Sequence, residues 1–265
     1  MGYLGFVRTA LPPGPRIALV TGATSGIGAE FVHQLAERKY NLVLVARDLT
    51  RLEDTAASLI NQHGVVVEVL QADLSTVKGR SAVEKRLSAK TSPVDVLVNN
   101  AGFGLKRRFD ENKVTDEQKL LDLLVTSPMR LCHAALQQML ARNSGTIINV
   151  ASVAAYSPRG TYGASKAWVV SFSRWANLTY KRRGVIVSAV APGFVRTEMH
   201  DRMRVNTGNI PSFMWLTTER VVSSAIRNAE RGKAVTIPSL RYKLLTAASR
   251  ALPGRLVARA NFKRD

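Results

Sequence analysis

The chain has 265 residues, 46% of them apolar and 22% charged, and a net charge of +19 at neutral pH. This is enough to bury a full core, and the balance excludes a disordered or fibrous chain. No apolar run approaches the roughly 20 residues that cross a bilayer. The opening MGYLGFVRTALPPGPR is too short and interrupted for a signal peptide, and one cysteine, Cys132, excludes an internal disulfide, so the expectation is a soluble, cytoplasmic protein.

Beyond an N-terminal extension over residues 1–15, short apolar runs alternate with stretches of helical period. Strands are predicted at 16–21 (RIALVT), 41–46 (NLVLVA), 65–70 (VVVEVL), 94–98 (VDVLV), 146–150 (TIINV), 185–190 (VIVSAV) and 234–237 (AVTI). Their hydrophobicity is nearly continuous, as a parallel sheet covered on both faces requires. Helices are predicted at 26–38, 49–62, 76–89, 115–141, 161–183 and 218–231. Such alternation predicts an α/β fold: one Rossmann-type, doubly wound parallel sheet of about seven strands, in a single domain over 16–238. Cys132 falls in a helical pattern and reads as a small core residue.

The first strand runs into Thr21-Gly22-Ala23-Thr24-Ser25-Gly26-Ile27-Gly28, which opens a helix. Glycines there permit a tight turn and a close backbone approach, and the helix start offers free N–H groups and a positive dipole end to a pyrophosphate. A dinucleotide lying across this turn would meet the exit of the second strand with its adenosine ribose. An acidic residue at that exit would bond a 2′-hydroxyl, and an arginine would accept a 2′-phosphate. Arg47 stands first, beside Asp48, which favours NADP(H).

Further on, Tyr162 and Lys166 in TYGASKAW are one helical turn apart and share a face. Four motifs then occur in order at the ends of strands: TGATSGIG, Asn99-Asn100-Ala101-Gly102, Tyr162 with Lys166, and Pro192-Gly193 followed by Thr197. Together they resemble the short-chain dehydrogenase/reductase family over roughly residues 15–237, nearest its ketoacyl and ketosteroid reductase branch. The resemblance implies that Asp73 contacts the adenine, that Asn99 and Ala101 with Gly102 line the cofactor, and that Thr197, after Pro192 and Gly193, holds the nicotinamide carboxamide. It also implies that Tyr162 is the general acid/base and that Lys166 lowers its pKa and binds the nicotinamide ribose. Ser152 would polarise the carbonyl, with Ser157 a rival, since only ten residues separate Ser152 from Tyr162.

One departure stands out: Leu124 occupies the position where the family carries a catalytic asparagine. Leucine forms helix well and offers no hydrogen bond, which predicts an unbroken helix through 120–131 with Leu124 turned away from Lys166. A catalytically weak, nucleotide-binding sensor or partner protein is therefore a second reading. The four histidines, His33, His63, His133 and His200, show no metal-ligand spacing.

The segment 196–217 lies where the family has its substrate lid, and Met199, Met203, Phe213, Met214 and Trp215 make it apolar and adaptable. A lipophilic ketone or 3-oxoacyl substrate fits it better than a sugar. The family commonly pairs the helices over 115–141 and 161–183 between subunits, which implies a homodimer or homotetramer. Residues 181–265 hold 17 basic against 5 acidic side chains, hence +12 of the +19. No nucleic-acid-reading pattern accompanies that charge. The tail over 239–265 mixes leucine, valine and phenylalanine with seven basic residues. It has the make-up of a segment that lies on an anionic membrane surface, and equally of a solvated last helix.

Overall fold

The computed structural model describes residues 16–197 and 211–251. Seven parallel strands form one sheet: β1 (Ile17–Thr21), β2 (Asn41–Ala46), β3 (Val67–Gln71), β4 (Val96–Asn99), β5 (Gly145–Val150), β6 (Val185–Val190) and β7 (Val235–Thr236), in the order β3-β2-β1-β4-β5-β6-β7. The expected doubly wound parallel sheet is therefore present. The helices are α1 (Gly26–Glu37), α2 (Leu49–His63), α3 (Val77–Leu87), α4 (Val114–Leu121), α5 (Ser127–Ala141), α6 (Gly160–Tyr180), α7 (Thr218–Glu230) and α8 (Leu240–Ala251).

Successive side chains of a strand point to opposite faces, so a strand covered on both faces has no polar positions to spare. Ala18, Val20, Leu42, Leu44, Val96 and Val98 feed the layer completed by α1, α2 and α7. The alternate residues Leu19, Val43, Val45, Leu97 and Ile147 feed the layer completed by α3 and α5, with Ala176 of α6. The order in which strands are added reverses between the parallel neighbours β1 and β4, and this opens a crevice at their C-terminal ends.

The long helix predicted from 115 onward departs from expectation. It is interrupted by a π-helical turn over Asp122–Thr126, between α4 and α5. The cause is Pro128, near the start of α5. Proline has no N–H, and in an α-helix its ring collides with the carbonyl four residues back, here that of Leu124. The chain widens instead, and the Ser127 N–H bonds the Asp122 carbonyl, five residues back. The helix propensity of leucine was outweighed by the proline that follows it.

The Tyr242 side chain anchors the C-terminal helix α8 to the chain that follows β6. Tyr242, 3% exposed, belongs to the larger core cluster. Its hydroxyl accepts the Phe194 N–H at 3.0 Å and donates to the Met214 carbonyl at 2.7 Å. A Cβ built on Gly193 would lie 1.9 Å from the ring, so glycine is required for the aromatic to seat. Tyr242→Phe leaves a backbone donor and an acceptor unpaired, and should lower stability by about 1–3 kcal/mol in denaturant unfolding.

Candidate active site

The turn after β1 is set by close packing. Gly22 has φ +66° and its N–H donates to the Val45 carbonyl at 2.7 Å. A Cβ on Gly28 would stand 2.0 Å from the Gly22 carbonyl oxygen, so the start of α1 lies directly against the turn and admits only glycine. Ser25 caps α1 with extended backbone and makes no side-chain capping bond. The first N–H groups of that helix are therefore available to an anion. Thr24 and Ile27 lie within this same turn, and the Thr197 methyl approaches to 3.0 Å of where a Gly26 Cβ would be. The cradle fits a pyrophosphate, and any added side chain at Gly28 would push the turn away from α1 and distort it.

Asn100 is the residue that sequence reasoning passed over. Its amide donates to the carbonyls of Thr21, at 2.9 Å, and Gly22, at 3.2 Å, holding the turn from the neighbouring strand. The Thr21 hydroxyl oxygen accepts the N–H groups of Asn100 (2.9 Å) and Ala101 (3.0 Å). The NNAG pattern contained this signal, but only the pairing of β1 with β4 shows what the second asparagine faces.

At the exit of β2 the two adjacent charges separate in role. Asp48 caps α2, its carboxylate accepting the Arg51 N–H at 3.1 Å. Arg51, a second residue missed in the sequence, sends its guanidinium to the Thr24 carbonyl at 3.2 Å, which places it beside the glycine turn. At Asp73 burial works to raise the carboxyl pKa. The Ser75 hydroxyl (2.7 Å) and amide (2.9 Å), helped by the charges of Arg47 and Lys119, outweigh burial and hold it below the ordinary range.

Tyr162 and Lys166 both lie on α6, and the Lys166 Nζ is 5.8 Å from the centre of the tyrosine ring. Lys166 is 6% exposed and donates to the Val150 carbonyl at 2.7 Å. Burial pulls its pKa from 10.5 down to about 8. Ser152 caps the short 3-10 turn Val153–Tyr156, its oxygen accepting the Ala154 N–H at 3.1 Å, and Ser157 ends that turn. The Ser152 hydroxyl proton remains a donor. Pro192 accepts the Val153 N–H at 3.0 Å, which joins the loop after β6 to the serine turn.

Two placements differ from expectation. Asn99 does not face the cleft: its amide donates to Asn149 Oδ1 at 2.8 Å and lies 3.3 Å from Cys132 Sγ, beneath the sheet end. It faces the core because it is the last residue of β4, where the pleat sends it to the α5 side. Leu124, 2% exposed, lies on the lysine side instead of turning away, because the π-turn rotates it there. It lines one small cavity together with Lys166, and its Cδ2 is 3.0 Å from where a Gly102 Cβ would be. Cys132 is a core residue as expected, its thiol pKa pushed up to about 12 by burial.

The motifs, the strand order and the helix bearing tyrosine and lysine define a nucleotide-dependent oxidoreductase fold. The family model for short chain dehydrogenases matches residues 16–208. A very-long-chain 3-oxoacyl-CoA reductase of Anas platyrhynchos is 34% identical over 235 residues, 84% of this chain and 72% of that one. A 3-oxoacyl-[acyl-carrier-protein] reductase of Synechocystis is 35% identical over 192 residues, 71% of this chain and 77% of that one. A short-chain dehydrogenase from Sphingobium yanoikuyae, solved in complex with NADPH, superposes with a TM-score of 0.81 at 33% identity, covering 94% of this chain and 96% of that one. The chain belongs to the short-chain dehydrogenase/reductase family and is an oxidoreductase.

Two outcomes test the site. Gly28→Ala should abolish dinucleotide binding in a fluorescence titration and lower stability, since the added methyl collides with the Gly22 carbonyl and forces the turn away from α1. Lys166 is depressed in the folded state, so between about pH 8 and 10.5 the unfolded chain binds the extra proton and folding gains stability as pH rises. Lys166→Met should therefore be the more stable protein at pH 7, by at most about 3 kcal/mol, with the gap closing through that window in parallel denaturant titrations.

Proposed function

We propose that the protein is an NADP(H)-dependent reductase of lipophilic ketones or 3-oxoacyl compounds, or oxidises the corresponding alcohols. The observation that carries this reading is the Tyr162–Lys166 pair on one face of α6, in a chain whose glycine cradle lies at the same end of the sheet. The dinucleotide, when bound, supplies or accepts hydride. Tyr162 donates its phenolic proton to the carbonyl oxygen. A phenol of ordinary pKa near 10 gives up a proton poorly at neutral pH, and an ammonium one turn away stabilises the phenolate. Ser152 holds the carbonyl oxygen, and Lys166 binds the nicotinamide ribose. Asp73, Ala101, Gly102, Pro192, Gly193 and Thr197 complete the cofactor side.

The preference for NADP(H) rests on Arg47 at the exit of β2, on Arg51 beside the glycine turn and on Asp48 being occupied as a helix cap. The NADPH bound to the Sphingobium neighbour agrees with it. The lipophilic substrate is supported by Phe213, Met214 and Trp215 beside Phe194, whose ring centre is 5.8 Å from that of Trp215, and by the two 3-oxoacyl reductase relatives. Exposed Trp175 and Leu178 on α6 and Met129 on α5 fit pairing of those helices in a homodimer or homotetramer. Exposed Leu240, Leu244 and Leu245 on α8, among Arg241 and Lys243, fit peripheral contact with anionic lipid. Among the described residues no helix is long and apolar enough to cross a membrane.

A screen of NADPH oxidation against ketones and 3-oxoacyl thioesters of graded chain length should show kcat/KM rising with length; activity confined to short polar carbonyls would overturn the substrate reading. Tyr162→Phe should lower turnover about 100-fold or more with little change in NADPH affinity. Arg47→Asp should weaken NADPH relative to NADH by more than about tenfold in paired titrations, the worth of one charge-assisted bond to phosphate. Vesicles rich in anionic lipid should retain the full chain better than a variant carrying Lys243→Glu, Leu244→Ser and Leu245→Ser, and salt should release it.

A further inference from the structure

His33 and His63 show no ligand spacing along the chain, yet the fold brings their rings together. His33 lies in the second half of α1 and His63 closes α2, at the ends of these helices remote from the glycine turn. His63 Nε2 is 3.3 Å from His33 Nδ1, and the ring centres are 5.0 Å apart. On the other side of the His33 ring, the Glu37 carboxylate, one turn further along α1, lies 3.3 Å from Nε2. The His33 and Glu37 side chains are 46% and 50% exposed, so the pair is open to an ion from solution.

Backbone fixes this approach. Gly64 takes φ +64° directly after His63, and its N–H returns to the Ile60 carbonyl, which ends α2 at the histidine. After α1, Lys39 takes φ +61°, uncommon for a residue with a side chain, and its ammonium donates to the His63 carbonyl at 2.9 Å. The two helix ends are thus joined independently of the rings. Glu37 favours the proton on His33 Nε2, which leaves the Nδ1 lone pair directed at His63. A metal-ligating histidine ordinarily has its other nitrogen oriented by a carboxylate in this way.

The separation also selects an ion. Two nitrogens on a tetrahedral ion, at zinc–nitrogen lengths of about 2.0–2.1 Å, lie about 3.3–3.4 Å apart. Adjacent nitrogens on a square-planar ion with similar bonds lie about 2.9 Å apart. The observed 3.3 Å matches the tetrahedral case. The described residues hold no cluster of three metal-ligating side chains, so water takes the remaining positions. The Lys39 charge opposes a cation here, and the Glu37 carboxylate offsets it.

We propose that His33 and His63 form a two-imidazole zinc site, with Glu37 as the carboxylate that orients His33. The ion takes the place of the proton shared between the rings, and His63 then carries its proton on Nδ1. Bound zinc braces α1 to α2, whose opposite ends carry the glycine turn and the Asp48 cap. The site stands whether or not the reaction proposed above is the right one.

The test is calorimetric titration of Zn²⁺ into the chelator-treated full chain near neutral pH. One equivalent should bind with a dissociation constant of about 1–100 µM, weaker than four-ligand sites because only two ligands are protein. His33→Gln and His63→Gln should each weaken binding by about tenfold or more, and Glu37→Gln by about tenfold. Saturating zinc should raise the wild-type Tm by about 5 °C and leave both histidine variants unmoved. All three positions are on the surface, and a far-UV circular dichroism spectrum matching the wild type shows that each variant is folded. A zinc-soaked crystal should show anomalous density bonded to both His33 Nδ1 and His63 Nε2. Absence of binding at about 1 mM zinc overturns the proposal, as does affinity that both histidine variants retain. Zinc density at other side chains with none between these rings overturns it equally.

Discussion

The bond from the Asn100 amide to the carbonyls of Thr21 and Gly22 is the constraint on which the site depends. A doubly wound sheet parts its loops where the strand order reverses, between β1 and β4, and a crevice there has nothing of its own to keep its walls in register. One side chain, from the residue just after β4, reaches across and holds the turn from β1, while the Thr21 hydroxyl takes the two amides that follow Asn99. The turn is thereby fixed before any ligand arrives. Gly28 can then approach to a distance that a methyl group would forbid. Fixing the anion cradle in advance avoids spending binding free energy on ordering a loop.

Beneath the crevice lies a second, drier layer of polar contacts. Asn99, Asn149 and Ser173 pass hydrogen bonds from β4 to β5 to α6, all buried. Buried polar chains of this kind are costly when incomplete and rigid when satisfied. This one runs under Lys166. The sheet end therefore carries polar groups at two levels, with backbone amides on top at the glycine turn and side-chain amides below the lysine.

Much of this could be read from the chain itself. The strands announce themselves because both faces of the sheet are covered, so valine and leucine run without interruption. The TGATSGIG turn and the Tyr162–Lys166 spacing are local patterns, and local patterns survive in one dimension. What escaped depends on partners far apart in sequence. Asn100 matters through residues nearly 80 positions earlier, and the inward role of Asn99 appears only once Asn149 is beside it. Arg51 reads as an ordinary helix-surface residue until the fold brings Thr24 to it. The π-turn is a different case, since Pro128 was visible in the sequence; helix propensity of the residues around Leu124 was weighed and the missing N–H four positions on was not.

Tyr242 has a consequence for how the protein is built in time. Residue 242 leaves the ribosome after all seven strands, yet it supplies the hydroxyl that fastens Phe194 and Met214, on either side of the segment between residues 197 and 211. A nascent chain with a complete sheet thus still lacks this clamp, although the Leu216 N–H can already reach the Phe194 carbonyl. The turn after β1 is held by residues of the first four strands and their exits, which have all emerged by that stage. Forming that turn and clamping Phe194 and Met214 are consequently separate events in biogenesis, ordered by chain position.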